Sequence, residues 1–141
     1  MIVLDTNVLS ELMRRRPAAR VVSWIDEQDA SALAITAVTA AELLYGVARL
    51  AQGVRKTELA AAVDALVRED FAGRVLPFDA SAAEHYAELV AERDRKGRPV
   101  STSDGQIAAI CRSHGARLAT RNVRDFDATG ITVLDPWEVA R

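Results

Sequence analysis

A single cysteine, Cys111, leaves this chain no disulfide to form and no thiolate pair to offer a metal. It sits in an apolar helical stretch and reads as a core filler rather than a nucleophile. The two histidines, His85 and His114, are isolated from one another, so zinc spacing is absent too. No apolar run approaches the ~20 residues of a membrane span. Met1 runs directly into an apolar strand pattern, which leaves no room for a signal peptide and makes the expected setting cytoplasmic, with no membrane partner. No repeat, low-complexity tract or linker divides the 141 residues, so one domain spanning 1–141 is expected. Excess charge is missing as well. Lys plus Arg number 18 against 20 Asp plus Glu, a net −2, and that argues mildly against a nucleic-acid binder. The distribution softens the objection: Arg14, Arg15, Arg16 and Arg20 cluster, as do Arg93, Arg95, Lys96 and Arg98, and Arg121 with Arg124. Each cluster taken alone reads as a solvated helix face or loop end.

What is present is a globular composition, 50% hydrophobic and 27% charged, arranged as strands alternating with helices. Ile2-Val3-Leu4 is an unbroken apolar run, the mark of a strand buried on both faces of a parallel sheet. Further strands are expected at Leu33-Ala34-Ile35, within 73–78, at 117–120 and at 131–134. Helices are expected over 6 to about 14, 18–28, 36–50, 54–70, 79 to about 96 and from Ser103 to Gly115. The helix over 36–50 is apolar nearly all round (Val38, Ala41, Leu43, Leu44, Tyr45, Val47) and is therefore expected to be buried. Right-handed crossovers then give an α/β fold: a three-layer α/β/α domain with a mostly parallel central sheet of about five strands.

Three acids stand at telling places in this pattern. Asp5 ends the first strand, Glu42 lies one turn into the helix after the second, and Asp104 opens the helix feeding the fourth. Singly, each has an ordinary explanation: Asp5 as a helix cap, Thr39-Ala40-Ala41-Glu42 as a capping box, Asp104 as an acid favoured by a helix dipole. Jointly, they meet at one sheet edge if their strands are neighbours, the place where open α/β sheets hold ligands. An unpaired carboxylate among Ala41, Leu43 and Leu44 is costly to bury, and three acids together raise one another's pKa unless a cation sits among them. Mg²⁺ or Mn²⁺ with oxygen ligands and retained waters resolves both. Such an ion most often faces phosphate, so the expected chemistry is metal-assisted phosphodiester hydrolysis, with one carboxylate accepting the water proton. Thr6 and Thr120, on adjacent strand ends, are candidates to hydrogen-bond the phosphate or a bound water.

The segments Met1 to Ser10, Ala41-Glu42-Leu43 with Gly46, Asp104 to Ala109 and Ala119 to Phe126 together resemble a PIN domain. More closely, they resemble the VapC toxins of bacterial toxin–antitoxin pairs, including the FitB-like branch, in which a terminal Pro136-Trp137 also recurs. The likeness runs from residue 1 to about 138. It implies a Mg²⁺- or Mn²⁺-dependent endoribonuclease toxin that arrests translation. It also implies a homodimer neutralised by a small VapB-like antitoxin, with promoter DNA bound only through that antitoxin. By position, Asp5, Glu42 and Asp104 match the family's most regular acids and are the expected catalytic and metal-binding residues. The usual fourth acid falls at Asn122, an amide, which bears on a second metal; Asp125, one turn on, is placed to substitute through a water. Arg121 is a phosphate or antitoxin contact by the same likeness.

Haloacid-dehalogenase-type phosphatases share the strand ending in Asp but need a second acid at position 7, which is Asn7. Receiver modules need paired acids after the first strand, which are absent. The remaining alternative is a weakly active or inactive toxin-like subunit acting in a repressor complex on DNA, and Asn122 is the feature that favours it.

Overall fold

The computed structural model describes residues 1–138; positions 139–141, the end of the expected domain, lie outside the described residues. The five strands are β1 (Ile2–Leu4), β2 (Leu33–Thr36), β3 (Val75–Leu76), β4 (Arg117–Ala119) and β5 (Val133–Leu134). They form one sheet in the order β3-β2-β1-β4-β5, parallel throughout. β1 is therefore central, with Ile2 opposite both Leu33 and Arg117 and Leu4 opposite Ala119. The strands carrying or preceding the three acids are neighbours.

Six helices cover the sheet: α1 (Thr6–Leu12), α2 (Ala19–Asp26), α3 (Ala37–Ala48), α4 (Val54–Ala65), α5 (Ala80–Arg95) and α6 (Thr102–His114). Side chains alternate across a strand, and β1 divides accordingly. Ile2 and Leu4 enter a core with Val8, Leu9, Val21, Trp24, Leu43, Val47 and Val63, contributed by α1 to α4. Val3 faces the other way, into a core with Leu89, Ile107, Ile110 and Leu118 beneath α5 and α6. Two cores on opposite faces of a parallel sheet give the three-layer sandwich.

Local signals explain most helix ends. Asp79 caps α5 by accepting the Ala82 N–H at 3.0 Å. Gly115, at φ +61°, closes α6 in the left-handed region. Gly105 is required by packing rather than backbone: a Cβ there would stand 2.9 Å from the Tyr86 ring and 3.1 Å from Val90. The close approach of α6 to α5, just beyond Asp104, depends on that missing side chain.

Three expectations are corrected. The helix expected over 54–70 is α-helical only to Ala65. It widens into a π turn over Leu66–Asp70, where the Phe71 N–H reaches back to the Leu66 carbonyl, and Leu66, Val67 and Phe71 all meet the first core. α3 is not buried all round. Ala40, Leu43 and Val47 face the core, while Leu44 and Tyr45 are 51% and 68% exposed, because no neighbouring layer covers that side. Arg93 is not solvated with its basic neighbours; it is buried, as described below.

Candidate active site

At the carboxyl ends of β1, β2 and β4 the chain leaves a cavity of about 490 Å³. It is lined by Asp5, Thr6, Asn7, Ser10, Glu11, Arg14, Glu42, Asp104, Arg121, Asn122 and Trp137. The three acids singled out from sequence share it. Asp5 sits at the corner between β1 and α1, where its backbone N–H donates to the Ala119 carbonyl of β4 at 2.9 Å. Its carboxylate is buried and doubly held. Oδ1 accepts the Thr6 N–H at 2.8 Å, capping α1, and Oδ2 accepts the Thr120 hydroxyl at 2.7 Å. The capping role therefore coexists with a place in the cavity.

Glu42 is on the exposed side of α3, which removes the argument that its carboxylate is buried among apolar neighbours. The capping-box explanation fails too. The true cap of α3 is Thr36, whose hydroxyl oxygen accepts the Thr39 N–H at 3.0 Å, placing Glu42 in the second turn. Its Oε1 instead accepts the Thr6 hydroxyl at 2.7 Å. Asp104 is half-buried in the first turn of α6, whose cap is Ser101, two residues before the start expected from sequence.

Burial comes first in raising the pKa of both Asp5 and Asp104. For Asp5 the bonds from Thr120 and Thr6 oppose that rise, and the charges of Glu42 and Asp125 add to it. For Asp104 the charge of Asp5 is the next contribution; a hydrogen bond with Ser101 opposes the rise, and the charges of Asp125 and Glu42 add smaller amounts to it. Like charges drawn together and partly desolvated are a standing electrostatic cost. Elsewhere, burial pushes the Cys111 thiol up to about 12, so it stays protonated and inert.

The other predicted residues fall into two groups. Thr6, Arg121 and Asn122 line the cavity, whereas Thr120 and Asp125 do not. Thr120 is fully buried and bonded to Asp5; its oxygen also accepts from Asn7 Nδ2 (3.1 Å) and the Asn122 N–H (3.0 Å). Asn7 Oδ1 in turn accepts the Arg121 N–H at 3.2 Å. One threonine thus ties the end of β1 to the turn after β4. Asp125 lies in the 3₁₀ turn Val123–Phe126, close enough for its charge to reach Asp5 and Asp104. That turn is held by Arg93, only 4% exposed, which donates to the carbonyls of Arg98 (2.6 Å), Asp125 (3.0 Å) and Asp127 (2.8 Å).

Ser10, Glu11, Arg14 and Trp137 also line the cavity and were not singled out as site residues from sequence. Only the Glu11–Arg14 spacing of three residues, right for a pair on one helix face, carried a signal. Glu11 is buried and its pKa is lowered, first by the Ala18 N–H it accepts at 2.8 Å and then, against burial, by Arg14 at 3.2 Å.

An all-carboxylate donor set suits a hard divalent cation and no soft one. Among the described residues no three His, Cys, Asp or Glu side chains form a ready-made cage. Mg²⁺ needs none, since it is commonly held through one or two carboxylates with waters and substrate oxygens completing its shell. Asp5 and Asp104, with raised pKa values and mutual repulsion, fit that requirement.

The profile of the PIN domain matches residues 2–131. VapC ribonuclease Y4jK of Sinorhizobium fredii (strain NBRC 101917 / NGR234) is 43% identical over 99% of this chain and 100% of its own. Toxin FitB of Neisseria gonorrhoeae (strain ATCC 700825 / FA 1090) is 39% identical over 97% of this chain and 99% of its own. The solved structure of FitAB bound to an IR36 DNA fragment superposes with a TM-score of 0.94 at 38% identity, covering 100% of this chain and 99% of that one. The chain belongs to the PIN-domain family. Within it, the chain is similar to VapC and FitB toxins along almost its whole length.

Proposed function

We propose that this protein is a divalent-metal-dependent endoribonuclease, the toxin of a toxin–antitoxin pair that inhibits translation until a cognate VapB-like antitoxin neutralises it. The observation that carries the reading is the meeting of Asp5, Glu42 and Asp104 in one cavity at the carboxyl edge of three adjacent parallel strands. Asp5 and Asp104 would hold Mg²⁺ or Mn²⁺, with Glu42 as the third acid of the site. When bound, such an ion supplies Lewis-acid polarisation of the scissile phosphate and eases ionisation of the attacking water.

The chain's own residues do the rest. Thr120 and the Thr6 N–H fix Asp5 in one rotamer, so its free lone pairs point where the fold directs them. Thr6 holds Glu42 through its hydroxyl, leaving the second oxygen of Glu42 to accept a proton from water. Arg121 supplies positive charge to the backbone of the incoming strand. As the toxin of such a pair, a homodimer of this chain would meet promoter DNA through the antitoxin; the FitAB structure is bound to an IR36 DNA fragment. No helix among the described residues is long and apolar enough to cross a membrane.

The experiment is cleavage of total and tRNA-enriched RNA by antitoxin-free protein, in Mn²⁺ or Mg²⁺ against EDTA, beside Asp5→Asn. Cleavage that needs both metal and Asp5 is expected. Cleavage that persists in EDTA or in Asp5→Asn overturns the assignment. The amide at Asn122 favours a second reading, a toxin-like subunit acting mainly in a promoter-bound repressor complex. Folded, metal-loaded protein that cuts no RNA yet strengthens operator binding by its antitoxin would select it.

A further inference from the structure

The acids account for part of the cavity lining; the rest has a different chemistry. The Arg121 guanidinium lies 5.0 Å over the centre of the Trp137 ring. Trp137 is half-buried against the first core, its backbone N–H donating to Asp135 Oδ1 at 2.9 Å and its backbone carbonyl accepting from Arg20 at 3.0 Å. Two bonds hold its main chain, and packing against the core holds its ring. Arg121 is fixed as well, at its backbone by Asn7 and at its side chain by the ring. Beside them the buried Glu11 holds Arg14 at 3.2 Å and exerts its charge on Arg121.

A phosphate contact asks only for a positive charge on a flexible stem, which a lysine supplies. A guanidinium held over an indole ring by a cation–π contact is a planar cationic group with restricted freedom. Single-stranded RNA presents unstacked bases, which proteins hold on aromatic rings and on guanidinium planes. The cavity is of a size that takes a nucleotide rather than a lone phosphate group.

We propose that Arg121, backed by Trp137, is a stacking platform for a base flanking the cleaved phosphodiester of single-stranded RNA. The assignment rests on the nuclease reading, and its test does not depend on turnover. Binding of decaadenylate, and of a ten-unit ribose phosphate chain without bases, is measured in EDTA on the full chain, so that nothing is cut. The native protein is expected to prefer decaadenylate by about tenfold, the order of one stacked base. Arg121→Lys keeps the charge and loses the plane. It is expected to lose most of the preference for decaadenylate over the abasic chain, whatever its affinity for the abasic chain. Trp137→Leu is expected to do the same, with a thermal melt recording whether it folds; Arg121→Lys, on an exposed loop, carries the test if it does not.

A native protein without the preference, or an Arg121→Lys variant that retains it, overturns the platform. So does an Arg121→Lys variant that binds RNA normally and loses only its antitoxin, which would assign this face to the inhibitor. Metal-dependent cleavage without base preference removes the platform and leaves the nuclease. Base preference without cleavage does the reverse.

Discussion

By chemistry the cavity lining divides into an acidic wall, Asp5, Glu42 and Asp104, and a basic one, Arg14 and Arg121 with Glu11 and Trp137. On the acidic wall, Asp5 and Asp104 are brought together under partial burial and their pKa values rise, so the fold holds charge it would be more stable without. On the basic wall, Glu11 is also buried, yet its pKa falls, because an N–H and a guanidinium satisfy it. For Asp5 and Asp104 burial dominates, whereas for Glu11 the Ala18 N–H outweighs it. The contrast separates groups placed for the sake of a ligand from groups placed for the sake of the fold. Electrostatic strain left in place in a cavity marks the former.

The sharpest way to break the comparison is to neutralise an acid on each wall. Asp104→Asn is expected to reduce metal-dependent RNA cleavage by about a thousandfold, the range seen when one preorganised electrostatic contact is lost, with the far-UV circular dichroism unchanged. Glu11→Gln should do the opposite, lowering stability while leaving much of the cleavage per folded molecule. Equal losses of turnover from both would erase the distinction between the walls. Next in size is Arg93, which belongs to neither wall but secures the turn bearing Asp125. Arg93→Ala leaves three carbonyls without a donor and should cost about 3 kcal/mol in urea unfolding. A loss below about 1 kcal/mol would mean that the turn holds itself.

How much of this was legible beforehand depended on distance along the chain. The apolar run Ile2-Val3-Leu4 ending in Asp5, the helix starts near residues 80 and 103, and Gly115 are local signals, and each marked its element to within a few residues. The strand order could be framed only as a condition, since β1 pairs with segments about 31 and 115 residues away. The exposed side of α3 was misread because periodicity reports which faces are apolar and not whether another layer covers them. Arg93 looked like its solvated neighbours because its partners are backbone carbonyls, to which the sequence offers no clue. Trp137 and Arg121 lie 16 positions apart, and nothing short of the folded β4–β5 region shows that they stack.

Within the acidic wall a finer contrast exists. The Asp5 carboxylate accepts two hydrogen bonds that tie β1 to α1 and β4, whereas the Asp104 carboxylate, in the first turn of α6, has a local hydrogen bond with the cap residue Ser101. Thr120→Val removes the hydroxyl that positions Asp5 and is expected to lower cleavage about tenfold, the scale for an outer-shell partner of a metal ligand. Asp104→Asn should stabilise the metal-free protein by about 1 kcal/mol at neutral pH, as relief of a strained functional group commonly does. The sign follows from the raised pKa of Asp104. Below its ordinary value near 3.8 the carboxyl is protonated in folded and unfolded chains alike, and no difference remains. As pH rises from there through the higher folded value, the folded state must ionise against burial, and stability falls. Melting curves in EDTA should therefore converge in acid and separate as pH rises, with Mg²⁺ stabilising the native protein more than the variant. Parallel curves would deny the strain.

The smallest expected effect concerns Asn122, an uncharged residue that belongs to neither wall. Its N–H donates to the Thr120 hydroxyl that also holds Asp5, and it lines the same cavity. An aspartate there would add a fourth carboxylate to a wall already short of counter-charge, so without metal Asn122→Asp should lower the melting temperature slightly. With Mn²⁺ the same charge becomes a further oxygen donor. Cleavage is then expected to be unchanged or raised, up to a few-fold, and metal occupancy likewise. Calorimetric titration with Mn²⁺, run beside the cleavage assay, checks both. A well-folded Asn122→Asp protein that binds less metal and cuts less RNA would show that the amide itself contributes. Asn122 would then have to be counted with the acidic wall.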